Sequence, residues 1–156
     1  MAEIKIYTDG SSRGNPGPGG YGAVMLSGQH RKELSQGFRY TTNNRMELLS
    51  VIVALETIKN PGNTVIVYSD SKYVVDAVEK KWVFGWEKKG FKGKKNPDLW
   101  KRFLKVYPRN SVAFQWVRGH DGNTLNERCD TLAVDSATGS DMMNDTVFEL
   151  ESGFTG

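Results

Sequence analysis

The chain has 156 residues, of which 38% are hydrophobic and 25% charged, with a formal net charge of +3. That length suits one domain of about 100–200 residues, with a core large enough to need no disulfide or metal staple. The single cysteine, Cys129, excludes an intrachain disulfide and a cysteine zinc site. No apolar run is long enough for a membrane span, and MAEIKIYTDG is no signal peptide, so a reducing, cytoplasmic setting is expected.

Ile4–Asp9 alternates apolar and polar residues and predicts a strand, followed by the turn-rich GSSRGNPGPGG. Tyr21–Ser27 and Glu33–Thr41 predict two more strands in an antiparallel meander. Asn43 to Lys59 predicts a helix whose broad apolar set, from Met46 to Ile58, implies burial on most of its surface. Asn60-Pro61-Gly62-Asn63 stops it, and TVIVYS (64–69) predicts a buried strand ending at Asp70. Ser71 can cap a helix over Lys72–Glu79, and Pro97 can open another through Val106. Ser111–Val117 reads as the last strand, Gly119-His120-Asp121-Gly122 as a loop, and Leu125–Ala137 as the final helix. The order describes an α/β protein with a mixed sheet: a meander plus strands joined by helical crossovers.

The charge is unevenly spread. Residues 80–102 hold nine Lys/Arg against two acids, so this window carries +7 and the rest −4. A basic block on a near-neutral chain points to a polyanion. Trp82 and Trp86 are interleaved in it, one helical turn apart, which favours a nucleic-acid surface over a merely solvated face. From Asp135 to the end there are five acids and no base, which reads as a loosely attached acidic tail.

Asp9 and Asp70 each close an apolar strand, at the sheet edge where α/β proteins gather their ligand sites. Glu47 lies early in the buried helix and Asp130 inside the last one. Each also has an ordinary reading: a turn at Asp9-Gly10, a capping box of Glu47 with Asn44, a helix start at Asp70-Ser71, a solvated helix face at Asp130. If the four converge they repel one another, a problem that divalent cations remove. Mg²⁺ takes oxygen ligands, and an ion pair can both activate water and stabilise a leaving oxygen in phosphodiester hydrolysis.

Four strings, YTDGSSRGNPGPGGYGAV, TTNNRMELL, SDSKYV and WVRGHDGNTLNERCDTLA, occur in this order. Together they closely resemble type 1 ribonuclease H of the bacterial kind, over about residues 1–137. The resemblance implies a ribonuclease H-like α/β fold: a five-stranded mixed sheet, three strands antiparallel and two more parallel to the first, flanked by helices. It implies a catalytic domain over 1–137 with an acidic tail over 138–156. It implies an endonuclease that hydrolyses the RNA strand of RNA–DNA hybrids, leaving 5′-phosphate and 3′-hydroxyl ends. Two Mg²⁺ per site, replaceable by Mn²⁺, would bind Asp9, Glu47, Asp70 and Asp130, and His120 would aid proton transfer or product release. Asn15, Asn43 and Asn44 match positions that meet the hybrid across its minor groove; amides suit a 2′-hydroxyl because both donate and accept. Thr42 and Asn96 match positions that hold a DNA phosphate. Trp82, Trp86 and Phe91, with Lys88 and Lys89 among the cations, match a basic protrusion lining the DNA strand. A monomer with no obligate protein partner and no membrane is expected. Two departures stand out: Tyr40 where a basic residue is frequent, with Arg39 beside it on the other strand face, and Lys72 where an amide is common. The alternatives are a non-catalytic hybrid-binding module, disfavoured by four acids beside phosphates, and another nuclease of the same superfamily.

Overall fold

Alternation sets the first strand: in β1 (Glu3–Ser12) Ile4, Ile6, Thr8 and Gly10 are buried while Glu3 and Lys5 are exposed. The computed structural model describes residues 2–119 and 124–154. β1 pairs antiparallel with β2 (Gly17–Ser27), which pairs antiparallel with β3 (His30–Thr41). β4 (Thr64–Ser69) adds parallel to the free edge of β1, and β5 (Ser111–Trp116) parallel to β4. A two-residue β6 (Met142–Met143) pairs parallel with β3, giving the order β5-β4-β1-β2-β3-β6. The sheet therefore has six strands where five are expected from the sequence; the five expected strands and their directions are all present.

Two helices cover opposite faces. α1 (Asn43–Thr57) buries ten of its fifteen residues, as its broad apolar set requires. Its face of the sheet is identified by Gly10, where a Cβ would come within 2.3 Å of the Glu47 backbone nitrogen. The other face carries α5 (Thr124–Thr138), which approaches so closely that a Cβ on Gly22 would lie 2.4 Å from the Cys129 carbonyl oxygen. Cys129 is accordingly a buried small residue whose thiol donates to the Tyr7 carbonyl, and burial pushes it up to about 12.

The stop and start signals act as expected. Ser71 caps α2 (Lys72–Glu79), accepting from Val74 N–H at 3.3 Å, and Pro97 opens α4 (Pro97–Val106). Between them lies α3 (Trp82–Lys88). Trp100 and Phe103 of α4 are fully buried and meet edge to face, and Trp86 sets its edge on Trp100. The basic segment is thus pinned by aromatic packing beneath its charges.

The acidic tail is not loosely attached. Beyond β6 it forms α6 (Thr146–Ser152), held by two buried acids whose partners lie about a hundred residues upstream. Asp145 accepts from Thr41 Oγ1 at 2.7 Å and from Arg45 Nε and Nη2 at 2.7 and 2.8 Å. Glu149 Oε1 accepts from Arg39 Nε and Nη2, at 2.9 and 2.6 Å. Tyr40 stacks on Phe154 with ring centres 4.2 Å apart. The two residues at the basic-residue departure therefore both serve to dock the tail.

Candidate active site and nucleic-acid interface

The register of β1 and β4 ends at the pair Tyr7 and Tyr68. Two residues further on each strand come Asp9 and Asp70, brought side by side by the parallel pairing. α1 contributes Glu47, because Gly10 lets the helix backbone rest against β1. Oxygens of Asp9, Glu47 and Asp70 lie within 4.8 Å of one another. Asp130 of α5 borders the same cleft, with Asp70, Gly119, Asn126 and Glu127, and acts electrostatically on Asp9. The structure gathers the four expected carboxylates at one sheet edge, three in the tight cluster and Asp130 at its rim. His120 lies outside the described residues.

The structure answers two of the ordinary readings. The cap of α1 is Thr42, whose hydroxyl accepts from Arg45 N–H at 3.2 Å, so Glu47 closes no capping box with Asn44. The helix start at Asp70-Ser71 is present, with Ser71 as the cap of α2, and it coexists with the place of Asp70 in the cluster. Asn126 and Glu127, one helical turn before Asp130, had no role assigned from the sequence; only that i−4, i−3 spacing could have pointed to them.

Burial and mutual repulsion raise the proton affinity of the cluster. Asp9 is pushed up to about 7, first by burial and then by the Asp70 charge. Glu47 is held well above the usual carboxylate range by burial and by the charges of Asp9 and Asp70. Among the described residues, Glu47 Oε1 and Asp70 Oδ1 are buried without a hydrogen-bond partner. Buried oxygens are rarely left so. An all-oxygen, anionic set with orphaned acceptors fits a hard divalent cation, and no thiolate or imidazole competes within it.

Gly10→Ala tests how tightly this geometry is built. The new methyl would meet Glu47 N at 2.3 Å and Met46 C at 2.5 Å, both backbone atoms that cannot swing aside. Overpacking costs about 1–3 kcal/mol, and a 1 Å misplacement of a catalytic group can cost about 100-fold. The expected outcome is a folded protein, lower-melting and with kcat reduced by roughly 100-fold, read by thermal unfolding and cleavage kinetics.

A second set of expected residues lies along a groove. A cleft of about 580 Å³ is lined by Asn15, Thr42, Asn44, Lys94, Lys95 and Asn96, among others. A neighbouring cleft of about 350 Å³ is lined by Tyr73, Trp82, Trp86, Gly93, Lys94 and Lys95. Shared Lys94 and Lys95 join the two. Trp82 is 48% exposed, and Lys94 Nζ sits 5.1 Å from the Trp86 ring centre. Asn43 abuts this wall through its N–H, which donates to Asn15 Oδ1 at 3.1 Å. Lys88 and Lys89 are exposed but line neither cleft; Lys94 and Lys95 do. Phe91 is 5% exposed and belongs to the core, not to the groove. Lys72 points its ammonium over Trp116, 4.6 Å from the ring centre, and the Trp116 indole donates to the Asp70 carbonyl.

The RNase H family profile matches residues 1–138. A ribonuclease H of Desulforamulus reducens is 57% identical over 142 residues, 88% of this chain and 89% of that protein. The chain belongs to the RNase H family. It is an RNase H enzyme, a mixed α/β protein of the type 1 architecture. The crystal structure of LC9-RNase H1, a type 1 RNase H with the type 2 active-site motif, overlays with a TM-score of 0.80 at 32% identity, covering 97% of this chain and 81% of that one. LC11-RNase H1, solved in complex with an RNA/DNA hybrid, overlays at 0.61 with 27% identity, covering 86% and 96%. This RNase H has no helix, among the described residues, long and apolar enough to cross a membrane. Its acidic cluster agrees with the divalent-metal dependence that the family implies.

Proposed function

We propose that this RNase H cuts the RNA strand of RNA–DNA hybrids, leaving 5′-phosphate and 3′-hydroxyl ends, with two Mg²⁺ ions that Mn²⁺ can replace. The observation that carries the reading is the cluster of Asp9, Glu47 and Asp70, with oxygens within 4.8 Å of one another and two of those oxygens orphaned. Asp9, Glu47, Asp70 and Asp130 would hold the cations. Bound there, divalent ions make water a nucleophile near neutral pH and stabilise the leaving oxygen. The protein's own part is to keep the carboxylates apart by no more than an ion's reach, on two strands and two helices that cannot drift. His120 would carry a proton or help release product.

The hybrid would lie with its RNA strand over the carboxylates and its DNA strand in the groove. Asn15 spends its carbonyl oxygen on Asn43 N–H, which leaves its amide nitrogen as a donor for the minor groove. Asn43 and Asn44 extend that wall. Thr42 and Asn96 would take a DNA phosphate, with Trp82 and Trp86 giving the strand an apolar face and Lys88 and Lys89 adding to the surrounding positive field. LC11-RNase H1 was solved with an RNA/DNA hybrid and shares this fold, which supports the substrate. All four acids come from one chain, which suits a monomer, and one buried thiol suits a reducing cytoplasm.

The test is a labelled hybrid incubated with the full chain and Mg²⁺, beside double-stranded DNA, double-stranded RNA and single strands. RNA in the hybrid alone is expected to be cut, and EDTA to abolish the cut. Intact hybrid with a folded protein, or equal cutting of pure duplexes, sinks the proposal.

A further inference from the structure

Tyr73 sits on α2, three residues beyond Asp70, and reaches the floor of the aromatic cleft, half-buried. Its hydroxyl oxygen accepts two hydrogen bonds: from Trp100 Nε1 at 2.9 Å and from Asn96 Nδ2 at 3.0 Å. The direction of both is fixed. An indole N–H can only donate. The Asn96 amide cannot be turned round, because its Oδ1 accepts from Arg45 Nη1 at 3.2 Å, and a guanidinium has no acceptor. With two donors aimed at it, the phenolic oxygen has both acceptor positions in use. Its own proton is therefore directed elsewhere, and among the described residues no acceptor takes it.

The surroundings of that proton hold donors and cations. Lys94 and Lys95 line the same cleft, along with Trp82, Trp86 and Gly93, and among the described residues no carboxylate lines it. Among the described residues none supplies the missing acceptor, and a ligand that brought one would be welcomed if it were anionic. Resting on the reading that this groove takes the DNA strand, we propose that Tyr73 is a substrate-binding residue whose hydroxyl donates to a phosphate oxygen of the DNA backbone. Accepting from Trp100 and Asn96 polarises the O–H and strengthens the bond it gives. The same hydroxyl fixes the Asn96 amide, so one atom links the aromatic cleft to the phosphate cleft. Asn96 needs such fixing: it holds a left-handed backbone, φ 60° and ψ 40°, at the start of α4. Nothing in the sequence could show this, because Tyr73 reads as an ordinary helix-face aromatic.

Steady-state cleavage by the full chain with Mg²⁺ is compared for the wild type, Tyr73→Phe and Trp100→Phe. The hybrids carry, one position at a time, a methylphosphonate in place of each DNA phosphate. Tyr73→Phe is expected to raise KM about fivefold at unchanged kcat, the factor one net hydrogen bond supplies. One methylphosphonate that weakens the wild type should no longer weaken Tyr73→Phe. Trp100→Phe removes a bond to the hydroxyl but not its proton, so its KM should rise less than that of Tyr73→Phe and that sensitivity should remain. The salt dependence separates a neutral donor from a cation: Lys94→Gln lowers the slope of log KM against log salt by about 0.9, whereas Tyr73→Phe keeps it.

An unchanged KM in Tyr73→Phe, an equal rise in Trp100→Phe, or an unaltered methylphosphonate profile overturns the proposal. If no DNA-strand methylphosphonate affects the wild type, the assignment of the groove to the DNA strand has failed, and the proposal falls with it. Should Tyr73→Phe not fold, the scan itself decides. One phosphate must stay sensitive in Lys94→Gln, Lys95→Gln and Thr42→Val alike, and its absence overturns the role of Tyr73.

Discussion

Asp9→Asn is expected to lower hybrid cleavage by about 1000-fold or more while leaving hybrid binding close to wild type and raising the melting temperature in EDTA. The loss of rate follows from geometry. Asp9 lies within 4.8 Å of Glu47 and Asp70 oxygens and in electrostatic contact with Asp130, so it would help hold the proposed cations. An amide keeps the shape but removes the negative charge and leaves a single neutral oxygen as ligand, and several kcal/mol of charge stabilisation correspond to about three decades in rate. The gain in stability follows from linkage. The Asp9 carboxyl is raised from its ordinary value to about 7, chiefly by burial and then by Asp70. Between about pH 4 and 7 the native state therefore binds more protons than the unfolded chain, so stability falls as pH rises through that window. Above it the repulsion is fully present and costs a few kcal/mol. Mg²⁺ bound by these carboxylates would offset the same charge, so the wild type should gain stability from Mg²⁺ at pH 8 and little at pH 5, and Asp9→Asn should gain less at either. Thermal melts across pH, with and without Mg²⁺, read this directly. A variant that cleaves at the wild-type rate, or melts lower than wild type in EDTA at pH 8, contradicts the arrangement.

The same cluster shows where the sequence was legible. Strand β4 and helices α2 and α4 begin and end where Pro61-Gly62, Ser71 and Pro97 say they should, because those residues act on the backbone they sit in. The convergence of Asp9 and Asp70 needed one non-local fact, that β1 and β4 are parallel neighbours. The match to known strings supplied it; periodicity alone could not. Glu47 shows the opposite failure: a local rule, the capping box, competed with a tertiary one and lost, because Thr42, two residues before Asn44, caps the helix. The tail was misread for a related reason. Five acids without a base look solvated when counted alone, yet Asp145 and Glu149 are buried against Arg45 and Arg39, cations that a window of twenty residues never contains. In the groove, the density of lysines marks a segment but does not say which of its residues line the two clefts. Which of Lys88, Lys89, Lys94 and Lys95 line the clefts depends on how Trp86 and Phe91 are buried beneath them.

Arg45→Met is expected to cost about 3–5 kcal/mol and to weaken hybrid binding without a matching loss of kcat. Arg45 is 3% exposed and uses its whole guanidinium: two bonds to Asp98, two to Asp145 and one to Asn96. The cost of losing it comes less from the pair than from what stays behind, since Asp145 would remain buried with no cation. In a domain of this length each kcal/mol moves the melting temperature by about 2–4 °C, so a fall of roughly 10 °C is expected. Three consequences distinguish this from a simple loss of packing. Joint replacement, Arg45→Met with Asp145→Leu, should recover much of the loss, because paired removal leaves no orphaned charge. KM should rise because Asn96 loses the bond that fixes its amide, while the carboxylate cluster is untouched. The acid limb of the stability curve should flatten. Burial works against it, but the guanidinium holds the Asp98 carboxyl below the usual carboxylate range. A depressed carboxyl contributes stability above the ordinary carboxylate pKa, near 4, and loses it as pH falls through the folded value. Without Arg45 that contribution has no source. Chemical denaturation of the single and double variants between pH 2 and 8, beside cleavage kinetics, measures all three. Equal stability of Arg45→Met and wild type would mean that the tail is held by the Arg39–Glu149 pair and the stacked Tyr40 and Phe154 alone.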